Sequence, residues 1–120
     1  MKKENIILSK AFDFSVRIVK LCKCLCDEKK EYVLSKQLLR AGTSIGANIN
    51  EAQAGQSKAD FIAKMSIASK ESRETKYWID LLIATNYLDG ADTNVQSLIK
   101  DLDEIIKLLT SIIKSAQGNK

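Results

Sequence analysis

Residues 34–52, LSKQLLRAGTSIGANINEA, decide the fold. Leu34, Leu38, Ala41, Ile45 and Ile49 recur three and four apart, the spacing that lines up one face of an α-helix. Beside this apolar row runs a polar one, Gln37, Arg40, Ser44, Asn48 and Glu51. At ~100° of turn per residue these five share an arc of about 80°. A face turned only to water has no need of amide, hydroxyl, guanidinium and carboxylate in one narrow row next to the core seam. The small residues Ala41, Gly42, Gly46 and Ala47 permit close approach of a neighbouring helix, and Gly55 is placed to end this one in a left-handed turn.

Outward from this segment, the same periodicity predicts helices over about 4–27, 32–54, 57–86 and 93–116. The first places Leu8, Ala11, Phe12, Ser15, Val19, Cys22 and Cys26 on its core side and stops at the charged run DEKKE. Ser57 followed by Asp60 forms a capping signal for the third helix, whose core side holds Phe61, Met65, Ala68, Ser72, Ile79 and Ile83. The segment Tyr87-Leu88-Asp89-Gly90 breaks it, and Thr93 with Gln96 makes a second cap. The fourth helix repeats Val95, Ile99, Leu102, Ile106, Leu109, Ile113 and Ala116, the seam of a helix packed nearly along its neighbours. Short connections between four such helices predict an all-α chain folded as an antiparallel up-down-up-down four-helix bundle, one domain over residues 1–120.

Composition agrees. The chain has 120 residues, enough for one ordinary core, with no Pro, five Gly and 6% aromatic residues. It lacks His, which removes the commonest general base and metal ligand at neutral pH. Cys22, Cys24 and Cys26 form an odd, tightly spaced set unlike the framework of a secreted disulfide domain, so a reduced cytoplasm is expected. Nothing approaches the ~20 apolar residues of a membrane span, and the N-terminus lacks an export signal. Consecutive cysteines point about 200° apart on a helix, so one helix cannot gather all three around a metal. No metal or cofactor is expected.

Apolar surface is in surplus. The first helix carries a second strip, Ile7, Phe14, Ile18, Leu21 and Leu25, and the third another, Ile67, Trp78 and Leu81. A lone bundle buries about one stripe per helix, so Phe14, Ile18, Leu21, Leu25, Ile67, Trp78 and Leu81 are expected to meet other subunits of a homo-oligomer. For the polar row three readings stand: a buried hydrogen-bonded network joining Arg40 and Glu51 through Gln37, Ser44 and Asn48, a binding surface, and a catalytic edge. Catalysis has no support, since no nucleophile pair, phosphate-cradling loop or ligand set accompanies the row.

The net charge is +4, from 19 Lys and Arg against 15 Asp and Glu. Lys58, Lys70, Arg73 and Lys76 occupy one face of the third helix, and Lys10, Arg17, Lys20 and Lys23 the exposed side of the first. Such faces, Arg17 and Lys20 included, can neutralise phosphates of RNA or DNA, although Asp80, Asp13 and Asp27 dilute them. Tyr77 lies near Arg73 and could stack on a base. A protein partner is the other class of ligand.

Residues 37–82, QLLRAGTSIGANINEAQAGQSKADFIAKMSIASKESRETKYWIDLL, and residues 10–21, KAFDFSVRIVKL, resemble the 23S rRNA intervening-sequence proteins. The resemblance rests on Gln37, Leu38, Arg40, Ala41, Ser44, Ile45, Asn48, Ile49 and Glu51 in the second helix. In the third it rests on Phe61, Ala68, Glu71, Glu74, Thr75, Tyr77 and Trp78. Ala52 stands where Gly is frequent. The resemblance implies small bacterial proteins, some encoded inside insertions of large-subunit rRNA genes, that assemble as homopentamers of four-helix bundles. The family is similar in turn to the accessory protein of diversity-generating retroelements, a basic pentamer that engages nucleic acid. A non-enzymatic, nucleic-acid-associated role follows as the leading expectation, with a protein-interaction scaffold as the alternative.

Overall fold

The computed structural model describes residues 3–118, with side chains from residue 6 onward. They form four α-helices: α1 Lys3–Asp27, α2 Val33–Ala52, α3 Lys58–Ala84 and α4 Thr93–Gly118. No strand occurs among the described residues. The helix ends have local causes. Ser57 caps α3 as its spacing to Asp60 suggests, its Oγ accepting the Asp60 N–H at 3.1 Å. At the other end of α3, Asn86 takes the left-handed conformation (φ 68°), and the Tyr87 N–H reaches the Leu82 carbonyl at 2.9 Å. That pairing satisfies an orphan carbonyl in the manner of a Schellman turn and ends the helix short of the expected residue 86.

Two expected caps are corrected. Gly55 is not left-handed; α2 instead tightens through bonds from the N–H groups of Gln53, Ala54 and Gly55 to carbonyls three residues back. The cap of α4 is Asp92 and not Thr93, because the Asp92 Oδ1 accepts the N–H groups of Asn94 at 2.7 Å and Val95 at 3.2 Å. The start of α2 holds an unforeseen device. Glu31 is buried, and its carboxylate accepts from the N–H groups of Val33 (3.2 Å), Leu34 (3.0 Å) and Ser35 (2.7 Å), while Ser35 Oγ donates to the Glu31 carbonyl. A carboxylate at the positive end of a helix is the favourable sign.

Among the described residues, helix α1 has α2 and α4 as its backbone neighbours and α3 has the same two, while side chains of all four helices meet in one core. In two of these helix pairs the ion pairs step down one helix as they step up the other. Lys10 meets Glu104 and Arg17 meets Asp101 across α1 and α4; Arg40 meets Glu71 and Glu51 meets Lys64 across α2 and α3. On the α1–α2 side, a Cβ on Gly42 would fall 2.9 Å from Ile18, and one on Gly46 would fall 3.2 Å from Ser15 Oγ. The two glycines are what bring these backbones together.

The largest correction concerns the rotation of α1. Its buried row is Ile7, Ala11, Phe14, Ile18, Cys22 and Leu25, so Phe14, Ile18 and Leu25, expected at a subunit interface, are core, and Leu21 packs half-buried against them. Phe12 is 69% exposed and Val19 50%, although both were expected inside. The physical reason is that burying three Ile or Leu and a Phe outweighs burying a row containing Ser15 and Cys26, at about 1.5–3 kcal/mol per large side chain. The same rotation brings Lys10 and Arg17 to α4 and off the exposed side where the sequence pattern put them. Helix α4 is rotated likewise: Leu98, Ile105 and Ile112 are buried, and Ile99, Ile106 and Ile113 only flank the core. In α3, Thr75 and Leu82 are buried in addition to the expected residues, while Phe61 and Ile83 are partly buried against the core. The hydroxyls of Ser72 and Thr75 are satisfied by carbonyls of their own helix, so the polar atoms are buried without loss of partners.

The Gly42–Ile18 contact yields a test. Replacing Gly42 by Ala gains helix propensity of about 1 kcal/mol, yet the new methyl meets a side chain that is fully buried and has nowhere to move. Overpacking of this kind costs about 1–3 kcal/mol. Gly42→Ala is therefore expected to lower the urea midpoint, while Gly118→Ala, whose Cβ meets nothing within 4 Å, leaves it level or raises it. A Gly42→Ala chain more stable than wild type would contradict the packing.

Candidate functional site

The polar row of α2 lies along the seam with α3, and its charged members are paired across that seam. Arg40 donates to Glu71 at 3.3 Å and more closely to Glu74. Glu74 also accepts the Trp78 indole N–H at 3.0 Å, and Glu51 pairs with Lys64 at 3.1 Å. Within the row itself, among the described residues, Asn48 has a local partner, its Nδ2 donating to the Ser44 carbonyl at 2.8 Å. The expected buried network through Gln37, Ser44 and Asn48 is thus corrected on two counts. The partners of Arg40 and Glu51 come from α3, and both side chains remain about half-exposed or more. Trp78 is half-buried in this arrangement, with Leu81 on the same side of α3 and Ile67 exposed.

The seam has a definite electrostatic character. The Trp78 N–H, and after it Arg40, holds the Glu74 carboxyl below the usual carboxylate range; its hydrogen bond to Glu74 in turn raises the Arg40 guanidinium. One carboxylate receiving a guanidinium and an indole N–H fixes the Trp78 ring. That ring meets Tyr77 edge to face, with centroids 5.1 Å apart and planes at 74°.

The basic candidates separate into two groups. Arg17 is held by Asp101 at 2.6 Å, Ser97 at 3.1 Å and the Asn94 carbonyl at 3.0 Å, so its charge is matched internally. Lys76 pairs with Asp80 at 3.4 Å. Lys58, near the start of α3, also has an interaction within the molecule. Lys70 and Arg73 stand on the outer ridge of α3, exposed, and neither makes an ion pair among the described residues. Tyr77 shares that ridge at 58% exposure. Lys20 is exposed on α1 beside Arg17, on a shallow groove reaching Leu21, Asn94 and Leu98. The structure therefore does not bring the six cations together; Lys70, Arg73 and Tyr77 are the coherent set.

The thiols are not arranged for chemistry. Cys22 is buried, its Sγ donates to the Ser35 carbonyl at 3.3 Å, and burial, followed by the neighbouring Cys26, pushes it up to about 12. Burial, then Glu28, raises Cys24. Protonated thiols are poor nucleophiles and poor ligands. Among the described residues no three His, Cys, Asp or Glu side chains converge to hold a metal ion, and no helix is long and apolar enough to cross a membrane.

The rotation of α1 leaves an apolar strip outside. Phe12, Val16 and Val19 of α1 lie exposed, as do Tyr32 and Leu39 at the start of α2. Between the two helices runs a groove of about 760 Å³ bordered by Leu8, Phe12, Thr43 and Ala47, and a second apolar hollow formed by Val19, Cys26, Tyr32 and Leu39 continues its line. On α1, sequence periodicity detected the surplus but assigned it to Phe14, Ile18 and Leu25, which are buried. The signal that separates the two strips is bulk: one row is Ile, Phe, Ile and Leu, and the other is interrupted by Ser15.

The family described as 23S rRNA-intervening sequence protein matches residues 3–111, and the chain belongs to it. A solved structure from Bacteroides thetaiotaomicron VPI-5482, described as a protein of unknown function from the S23 ribosomal protein family, is similar with 54% identity and a TM-score of 0.90. The match covers 94% of this chain and 99% of that one. No curated protein matches the chain.

The Arg40–Glu74–Trp78 link predicts a pH response. Because the folded Glu74 carboxyl lies below its unfolded value, the stability it contributes is present above the ordinary carboxylate range and is lost as pH falls through the lowered folded value. Trp78 is the sole tryptophan, so its emission reports the loss. The acid transition of that emission is expected below the ordinary carboxylate range, to move upward in Arg40→Leu, and to vanish in Glu74→Gln. Arg40→Leu is also expected to cost about 1 kcal/mol or less, as half-exposed pairs do. A wild-type transition at or above the ordinary range would mean the link is not made in solution.

Proposed function

We propose that this member of the 23S rRNA-intervening sequence protein family is a non-enzymatic, nucleic-acid-associated accessory protein of the cytoplasm, acting as a homo-oligomer of antiparallel up-down-up-down four-helix bundles. The observation that carries the nucleic-acid reading is the outer ridge of α3, where Lys70 and Arg73 keep their charge for an external anion while Arg17 and Lys76 are matched within the chain. Contacts of this type position a phosphate backbone and read no sequence. The family's name, which refers to the 23S rRNA, points to the same class of partner.

The opposed contact registers of neighbouring helices support the antiparallel bundle. Assembly is supported by the strip Phe12, Val16, Val19 and Leu39, which replaces Phe14, Ile18 and Leu25 as the surface offered to another copy. A pentamer is the subunit number that the family resemblance implies, and repetition of a two-cation ridge around a ring multiplies weak phosphate contacts. The non-enzymatic reading draws on the pairing of Arg40 and Glu51 to α3, which commits the charged groups of the polar row to holding helices. Three cysteines without a disulfide suit a reducing compartment. A protein-interaction scaffold is the second reading, favoured by the same apolar strip, which serves a different protein as readily as a second copy.

Two measurements check this. Gel-shift titration of structured RNA and duplex DNA across a salt series is expected to show binding that weakens steeply with salt; no shift at low salt would leave the scaffold reading in place. Native mass spectrometry is expected to give an oligomer for the wild type and a folded monomer for the double variant Phe12→Ser, Val19→Ser. A wild-type monomer, or a double variant that keeps its subunit number, would remove the strip from the assembly.

A further inference from the structure

We infer that the α3 ridge takes an unpaired nucleic-acid strand, with one base stacked on Tyr77 and the adjoining phosphates on Arg73 and Lys70. This rests on the nucleic-acid reading above and narrows its ligand to single strands. On α3 these three side chains fall within about 60° of arc, Arg73 about 6 Å and Lys70 about 10.5 Å along the axis from Tyr77. Both cations lie toward the helix start from Tyr77, so the phosphates that lead away from one stacked base in that direction can meet them.

The ring is held for the purpose. Tyr77 is 58% exposed, yet it is not a loose side chain, because it meets Trp78 edge to face and Trp78 is anchored through Glu74 to Arg40. In an edge-to-face pair at least one face of Tyr77 remains open. Glu74 lies close enough to Lys70 to feel its charge, yet its hydrogen bonds, both on Oε2, go to Trp78 and Arg40, and Lys70 makes no ion pair among the described residues. An aromatic face serves a base only when that base is out of a duplex, since paired bases already cover one another. Exposed cations alone fit any phosphate backbone; the fixed aromatic beside them is what selects the single strand.

The test uses the full chain and fluorescence anisotropy with a labelled oligouridine, free or annealed to oligoadenosine, over a salt series. The free strand is expected to bind more tightly than the duplex and to quench Trp78 emission. Tyr77→Leu is expected to weaken single-strand binding roughly tenfold with the salt slope and duplex binding unchanged. Tyr77→Phe keeps the wild-type affinity, and Lys70→Ala with Arg73→Ala lowers the single-strand salt slope by about 1.4. Equal binding of strand and duplex, with Tyr77→Leu without effect, overturns the stacking while the broader nucleic-acid role stands. No binding of either probe at low salt overturns both. A lower subunit number for Tyr77→Leu in native mass spectrometry makes Tyr77 a subunit contact and likewise overturns the inference.

Discussion

Helix α1 is apolar over about half its circumference, and the choice of which half turns inward governs the rest of the surface. Ile7, Phe14, Ile18 and Leu25 go in; Phe12, Val16 and Val19 stay out. Two forces favour this choice. Each large aliphatic side chain buried in place of Ser15 or Cys26 contributes on the order of 1.5–3 kcal/mol, whereas the half-exposed pairs Lys10–Glu104 and Arg17–Asp101 contribute ~0–1 kcal/mol each. Burial decides the rotation, and the ion pairs sharpen it. Gly42 then receives Ile18, so the α1–α2 spacing is set by the same orientation.

The surface is divided accordingly. With α1 so rotated, Arg17 is committed to α4 and drops out of any basic face, while the apolar strip moves to the α1–α2 side. The α2–α3 seam is the polar counterpart, where Arg40, Glu71, Glu74 and Trp78 tie two helices and orient the outer ridge of α3. The molecule thus presents an apolar side suited to assembly and, across the α2–α3 seam, a ridge with unmatched cations. In the proposed function, self-association and anion binding therefore draw on different residues.

Much of the fold was legible in the sequence because period and breaks are local. Ser57 with Asp60 marked the start of α3, and the four apolar periodicities located four helices. Rotation was not legible for α1 and α4, since each carries two adjacent apolar rows and periodicity alone does not rank them. The cap by Glu31 escaped notice because Glu is not a usual capping residue; its reach to three N–H groups depends on burial beside Ser35. For the polar row, spacing identified the side chains that matter, yet their partners Glu71, Glu74 and Lys64 lie some 13 to 34 positions away in the chain, beyond what one helix's pattern can reveal. Of the basic residues, Arg17 is taken by Asp101 of a neighbouring helix, a tertiary property, whereas Lys76 is taken by Asp80 four positions on in its own helix.

The rotation of α1 is the central claim, and hydroxyl-radical footprinting of Phe12 and Phe14 in the native chain tests it directly. Phe14 is 1% exposed and is predicted to resist modification at every protein concentration. Phe12 is predicted to react readily in dilute solution and to become protected as concentration rises and copies meet. Modification of Phe14 in preference to Phe12 in the dilute, folded chain would contradict the account, because α1 would then be turned the other way.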